Sequence, residues 1–161
     1  VTEGVTTDVA TTPTGIAYGA LPPNTLVEAA QRFTVTTNAT AGYQMLMYSD
    51  SPFISSHGES IRVINASNTA PLGWSTACDT NAYGCYGYHA GDDALEGGST
   101  RFAPLDTYAA FESTPREIAY SSIPVSAGDT VDVVYRVLGR DLQQAGQYET
   151  AITFITLPAI S

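Results

Sequence analysis

Cys78 and Cys85 enclose six residues, Asp79-Thr80-Asn81-Ala82-Tyr83-Gly84. A pair this close is either a disulfide or half of a metal site. Zinc takes about four ligands, and the only histidines, His57 and His89, lack finger-type spacing. A thiol–disulfide redox motif places two residues between its cysteines, not six. The pair is therefore read as a structural disulfide, which places the chain in an oxidising compartment. Closing so short a loop stabilises the fold by about 2.5 kcal/mol on the chain-entropy account.

The same stretch carries the other residue types able to bind or react. Asp92, Asp93 and Glu96 form the nearest carboxylate cluster. Paired carboxylates can cleave glycosides, but a charged turn is the better explanation of Gly-Asp-Asp and Glu-Gly-Gly; among functional readings calcium, a hard cation that takes carboxylate oxygens, is preferred. Trp74, Tyr83, Tyr86 and Tyr88 are a candidate ligand or adhesion surface for sugar rings, with packing over the disulfide as the alternative. Asn38-Ala39-Thr40 and Asn65-Ala66-Ser67 match the N-glycosylation acceptor pattern. No serine lies in a nucleophile-elbow context, and His57, in Ser-Ser-His-Gly-Glu, reads as part of a solvated turn. The expectation is a non-enzymatic chain without a cofactor or metal.

Composition narrows the partners. The 161 residues carry six arginines, no lysine and sixteen acidic side chains, a formal net charge of −10. An acidic chain without a basic run is a poor match for nucleic acid or anionic lipid. No run approaches the ~20 apolar residues of a membrane-spanning helix. Without lysine there is no Schiff-base or P-loop chemistry, and no Lys–Asn isopeptide crosslink. The first residue is Val1, which suggests a processed, mature product.

The elements that must position these residues are strands. Period-two alternation runs through residues 33–37, 42–48, 60–64, 117–120, 130–138 and 147–157, rich in Val, Ile, Thr and Tyr. Leu26–Gln31 is the best helical stretch and is short. Turn chemistry at Pro22-Pro23-Asn24, residues 38–42, Ser49–Pro52, Ser126–Asp129 and Gln144–Gly146 separates the strands. The pattern predicts an all-β, single antiparallel sandwich. Residues 13–161 form the domain, with a long inserted loop at 74–98. Residues 1–12 form an N-terminal extension in which Val1, Val5, Thr7 and Val9 share one face, as an edge strand or a donor strand would require.

The C-terminal third carries a family likeness. Val133-Val134-Tyr135-Arg136-Val137-Leu138-Gly139-Arg140, followed by Ala145-Gly146-Gln147-Tyr148 and the run through Phe154, resembles the closing motif of spore-coat-U-like and archaic chaperone–usher pilin domains. There a strand entering a Gly-Arg turn precedes a Gly-x-Tyr-x-x-x-Ile/Val final strand. Ile16–Leu21, Phe33–Asn38 and Gly42-Tyr43 are similar to the opening strands of such domains. That family often bridges its first strands by a disulfide, whereas Thr37 and Asn38 stand at that point here. The resemblance implies an incomplete immunoglobulin-like sandwich, completed by a neighbour's N-terminal strand. It leads to the expectation of an extracellular pilus or fimbrial subunit whose partners are copies of itself. The second expectation is a secreted carbohydrate-binding or adhesive module that uses the 74–98 loop on surface glycans.

Overall fold

The computed structural model describes Glu3, residues 5–78 and residues 82–159. Among the described residues the chain is almost entirely β. A short hairpin, β1 (Thr11–Thr12) and β2 (Gly15–Ile16), leads to β3 (Leu26–Thr37), β4 (Tyr43–Tyr48), β5 (Phe53–Ser55) and β6 (Ser60–Val63). Then come β7 (Leu72–Gly73), the short helix α1 (Trp74–Cys78), β8 (Gly84–Ala90), β9 (Thr107–Tyr108) and β10 (Arg116–Ser121). The long β11 (Val125–Gly139), β12 (Tyr148–Glu149) and β13 (Thr153–Pro158) close the fold.

Two main sheets face each other as a sandwich. One has six strands in the order β12-β5-β6-β8-β11-β3, the other three in the order β10-β4-β13. Tyr43, Met45 and Met47 alternate inward along β4. They meet Ile118 of β10, Tyr88 and Ala90 of β8, and Val131, Val133 and Tyr135 of β11. Burying aliphatic side chains of this size contributes roughly 1.5–3 kcal/mol each, which is what holds the layers together.

A second, smaller core lies behind the six-stranded sheet. Cys85 faces away from the sandwich interior and joins Cys78 of α1, with Cα atoms 6.0 Å apart. Trp74, Ile64, Tyr108 and Ala110 pack around this bridge. β8 is thus covered on both faces, and all seven of its residues are buried. Gly87 is required there: a Cβ would lie 2.9 Å from the Ala109 carbonyl oxygen and 2.5 Å from Ile64 Cδ1.

Several sequence expectations change. Residues 74–98 are not one inserted loop, since α1 and the buried β8 lie within the stretch. Leu26–Gln31 is the first half of β3, where Val27 and Ala29 alternate inward. Residues 147–157 divide into β12 and β13, which belong to different sheets. Ser126–Gly128 is a bulge within β11 rather than a turn, marked by a register shift and by Gly128 at φ 92°. One pairing is parallel: β6 beside β8, with Arg62 opposite Cys85.

Candidate functional site: an apolar trough beside the last strand

A sandwich has exposed edges, and unpaired main-chain groups there recruit other strands unless covered. The outer edge of β10 is sealed by side chains. Asp92 Oδ2 accepts from Tyr120 N at 2.8 Å, and Asn68 Nδ2 donates to the Glu117 carbonyl at 2.9 Å. Asn68 is itself buried and fixed by Tyr88 Oη and Arg101, at 2.8 and 2.9 Å. The edge of β3 is partly covered by the N-terminal segment. Asp8 N donates to Glu28 O and Glu28 N to Asp8 Oδ2, both at 2.8 Å, while Thr11 Oγ1 donates to Ala30 O at 2.7 Å.

β13 differs from both. It pairs with β4 from Thr153↔Tyr48 to Pro158↔Tyr43. Among the described residues no strand pairs with its other side. On the same flank Phe33 of β3 meets Phe154 of β13, with ring centroids 4.5 Å apart. Phe33, Val35, Ile152 and Phe154 are only partly buried there. The three-stranded sheet is too narrow to roof the six-stranded one, and the sandwich stays open along this flank.

Two cavities, of about 690 and 600 Å³, lie in the uncovered region. Both are lined by Ile16, Tyr18, Phe53, Val137, Tyr148 and Glu149, so they adjoin as one trough. Its floor is apolar and aromatic. Tyr18 and Phe53 meet edge-to-face at 6.1 Å, and Phe53 meets Tyr86 at 4.8 Å. Burial pushes the Tyr18 phenol well above its ordinary pKa of 10.0, so it stays neutral. Segments 13–21 and 140–152 form the walls, and Ile152 and Phe154 lead from the trough to β13.

Among the described residues, four buried side-chain polar atoms have no partner. Two of them, Arg140 Nε and Gln143 Oε1, belong to residues lining the larger cavity. The others, Tyr108 Oη and Arg101 Nε, belong to residues that line neither cavity. The orientation of the Gln143 amide follows from its neighbours. Tyr148 Oη donates to Gln144 O at 2.7 Å and so can only accept from Gln143 Nε2, also at 2.7 Å. That leaves Oε1 as the unpaired atom. The apolar floor suits the side chains of an extended peptide, and Arg140 and Gln143 at its border each carry a buried polar atom without a partner.

The residues singled out in the sequence are placed as follows. Trp74, Tyr86 and Tyr88 are 9%, 1% and 1% exposed, because α1 and β8 turn them into the two cores; Tyr83 is 45% exposed. Trp74, Tyr86 and Tyr88 therefore follow the packing alternative and do not form one exposed surface with Tyr83. Asp92 spends both oxygens on main-chain N–H groups, those of Ala94 and Tyr120. Glu96 accepts from Gln44 instead, and no group of three or more metal-ligating side chains occurs among the described residues. Asp92 thus closes a turn and caps a strand edge. His57 is exposed beside Ser56, whereas His89 is buried with Nδ1 2.7 Å from Thr107 O. Asn38 and Asn65 are both exposed.

Val5 and Val9 are half-buried and Thr7 is exposed, with Val9 packed against the main core of its own chain. Val1 and Asp79, Thr80 and Asn81 of the disulfide loop lie outside the described residues. Sequence reasoning missed Tyr18, Phe53, Arg140, Gln143 and Tyr148 as a group. Gly146-Gln147-Tyr148 was visible as a motif, but the approach of residues 16–21 to residues 143–149 is a tertiary event with no local signal. No protein-family model, curated protein or solved structure matches the chain.

Proposed function

We propose that the protein is a non-enzymatic, extracellular structural subunit of a surface filament, polymerising by donation of its N-terminal segment to the next copy. The observation that carries this reading is the apolar trough that runs to an open strand edge at β13. A strand added there would complete the narrow sheet and cover the hazardous edge in one step. The contrast between edges supports the choice of β13, since β10 is closed by Asp92 and Asn68. The donor would be the segment bearing Val5, Thr7 and Val9. In the monomer this segment is held to β3 by few main-chain bonds, from Asp8 N and Val9 N to Glu28 O. Exchange onto a neighbour therefore costs little pairing.

The Cys78–Cys85 disulfide supports an oxidising, extracellular setting, and no helix among the described residues is long and apolar enough to cross a membrane. Removing residues 1–10 tests the reading. Electron microscopy of the full chain is expected to show filaments, and the truncated chain only monomers or amorphous aggregates. Filaments that persist in the truncated chain would overturn it.

A further inference from the structure

We propose that the larger cavity is a charge-selective docking subsite for the N-terminal segment of a second copy, in which Arg140 receives the carboxylate of Glu3 while Val5 enters the apolar floor. This rests on the reading that the donor is another copy of the chain.

The two charged partners are each poorly placed within one molecule. Among the described residues the Arg140 guanidinium has no ion pair and no hydrogen bond, and its Nε is buried. Arg32, Arg101, Arg116 and Arg136 all have carboxylate partners. Glu3 makes no hydrogen bond or ion pair within the described residues. Its side chain lies on Gly91, where a Cβ would stand 2.8 Å from Glu3 Cδ. Burial and the neighbouring Asp132 and Asp93 push the Glu3 carboxyl up, with Arg32 opposing. A carboxylate crowded by two others and an arginine without one are complementary across two copies.

Geometry and competition agree with the pairing. In an extended strand residues i and i+2 share a face about 6.8 Å apart, so Glu3 and Val5 point the same way. With Glu3 at the rim beside Arg140, Val5 reaches the floor formed by Tyr18, Phe53, Ile61 and Val137. Thr7 and Val9 then continue towards Ile152 and Phe154. The acidic groups nearby are engaged: Glu149 accepts from Gln147 and Asp141 from Asn24. The first basic side chain is that of Arg32, so the charged side chains of the donor segment, Glu3 and Asp8, are both acidic.

The test uses the full chain and a peptide of residues 1–12, labelled at its C-terminus, with fluorescence anisotropy as the readout. Saturable binding is expected, weakened roughly tenfold by Arg140→Glu in the chain or by Glu3→Arg in the peptide. Combining the two reversals is expected to restore affinity to near the original value. The peptide change leaves the folded chain untouched, so a folding defect in Arg140→Glu does not decide the outcome. No saturable binding, or binding indifferent to both reversals, overturns the proposal. Filaments with charge-indifferent binding would refute this subsite and leave the filament reading standing. Charge-dependent binding without filaments would do the reverse.

Discussion

Arg136 illustrates how a chain with little charge uses what it has. Its guanidinium carbon lies 4.2 Å from the Tyr108 ring centroid and 5.2 Å from that of Trp74. Glu28 and Asp106 supply the carboxylates, the second at 3.1 Å. A guanidinium can stack and pair simultaneously because it is planar and weakly hydrated; an ammonium would do neither well. Beside it His89 is buried against Tyr108 and Phe102, and its Nδ1–H donates to Thr107 O. Burial and the Arg136 charge lower the His89 pKa from its ordinary 6.5, against the opposing Thr107 bond and the carboxylates of Asp93 and Asp106. The unfolded chain therefore takes up this proton before the folded one does. Stability from this residue is complete above about pH 6.5 and is lost as pH falls towards the lowered folded value. Urea denaturation across this range is expected to show a falling midpoint on acidification for the native chain, and a shallower fall for His89→Gln. An unchanged slope in the variant would assign the acid sensitivity elsewhere.

At the scale of elements, legibility depended on how many faces a strand buries. β4 and β11 were readable because one face meets the core and period-two alternation survives in the sequence. β8 was not, because it is buried on both faces and its glycines, aromatics and cysteine read as a loop. The division of residues 147–157 was hidden because Thr150–Ile152 carry the chain between sheets without a proline or glycine to mark it. The disulfide pair was legible from spacing alone. Its structural role is larger than a loop closure, since it fastens α1 to the central β8 and so supports the second core around Trp74. Replacing both cysteines by serine is expected to cost about 2–4 kcal/mol in chemical denaturation, the entropic share plus lost packing. A cost near zero would mean that the core behind β8 holds without the bridge.

For the whole molecule, the opening feature is the mismatch between a six-stranded and a three-stranded sheet. The sequence composition, low in charge and rich in Thr, Ser, Ala and Gly, suits surfaces that are buried between subunits after folding. With no lysine among the 161 residues, a filament of the kind proposed would cohere by strand pairing and packing rather than by Lys–Asn isopeptide bonds. The trough itself was the least legible part, because its walls come from segments more than a hundred residues apart. Tyr18 and Tyr148 come together on Ile61, Tyr86 and Val137 only once β6, β8 and β11 are assembled. Under the proposed assembly, the net charge of −10 would keep the subunit soluble until its edge is covered.

The most direct measurement is an electron cryomicroscopy map of the assembled material, traced through residues 5–12. This segment is expected to leave its own β3, cross to the adjacent subunit and lie in its trough, continuing along the outer edge of β13. Continuous density that keeps Asp8 on Glu28 of its own chain, with the neighbouring trough empty, would contradict it.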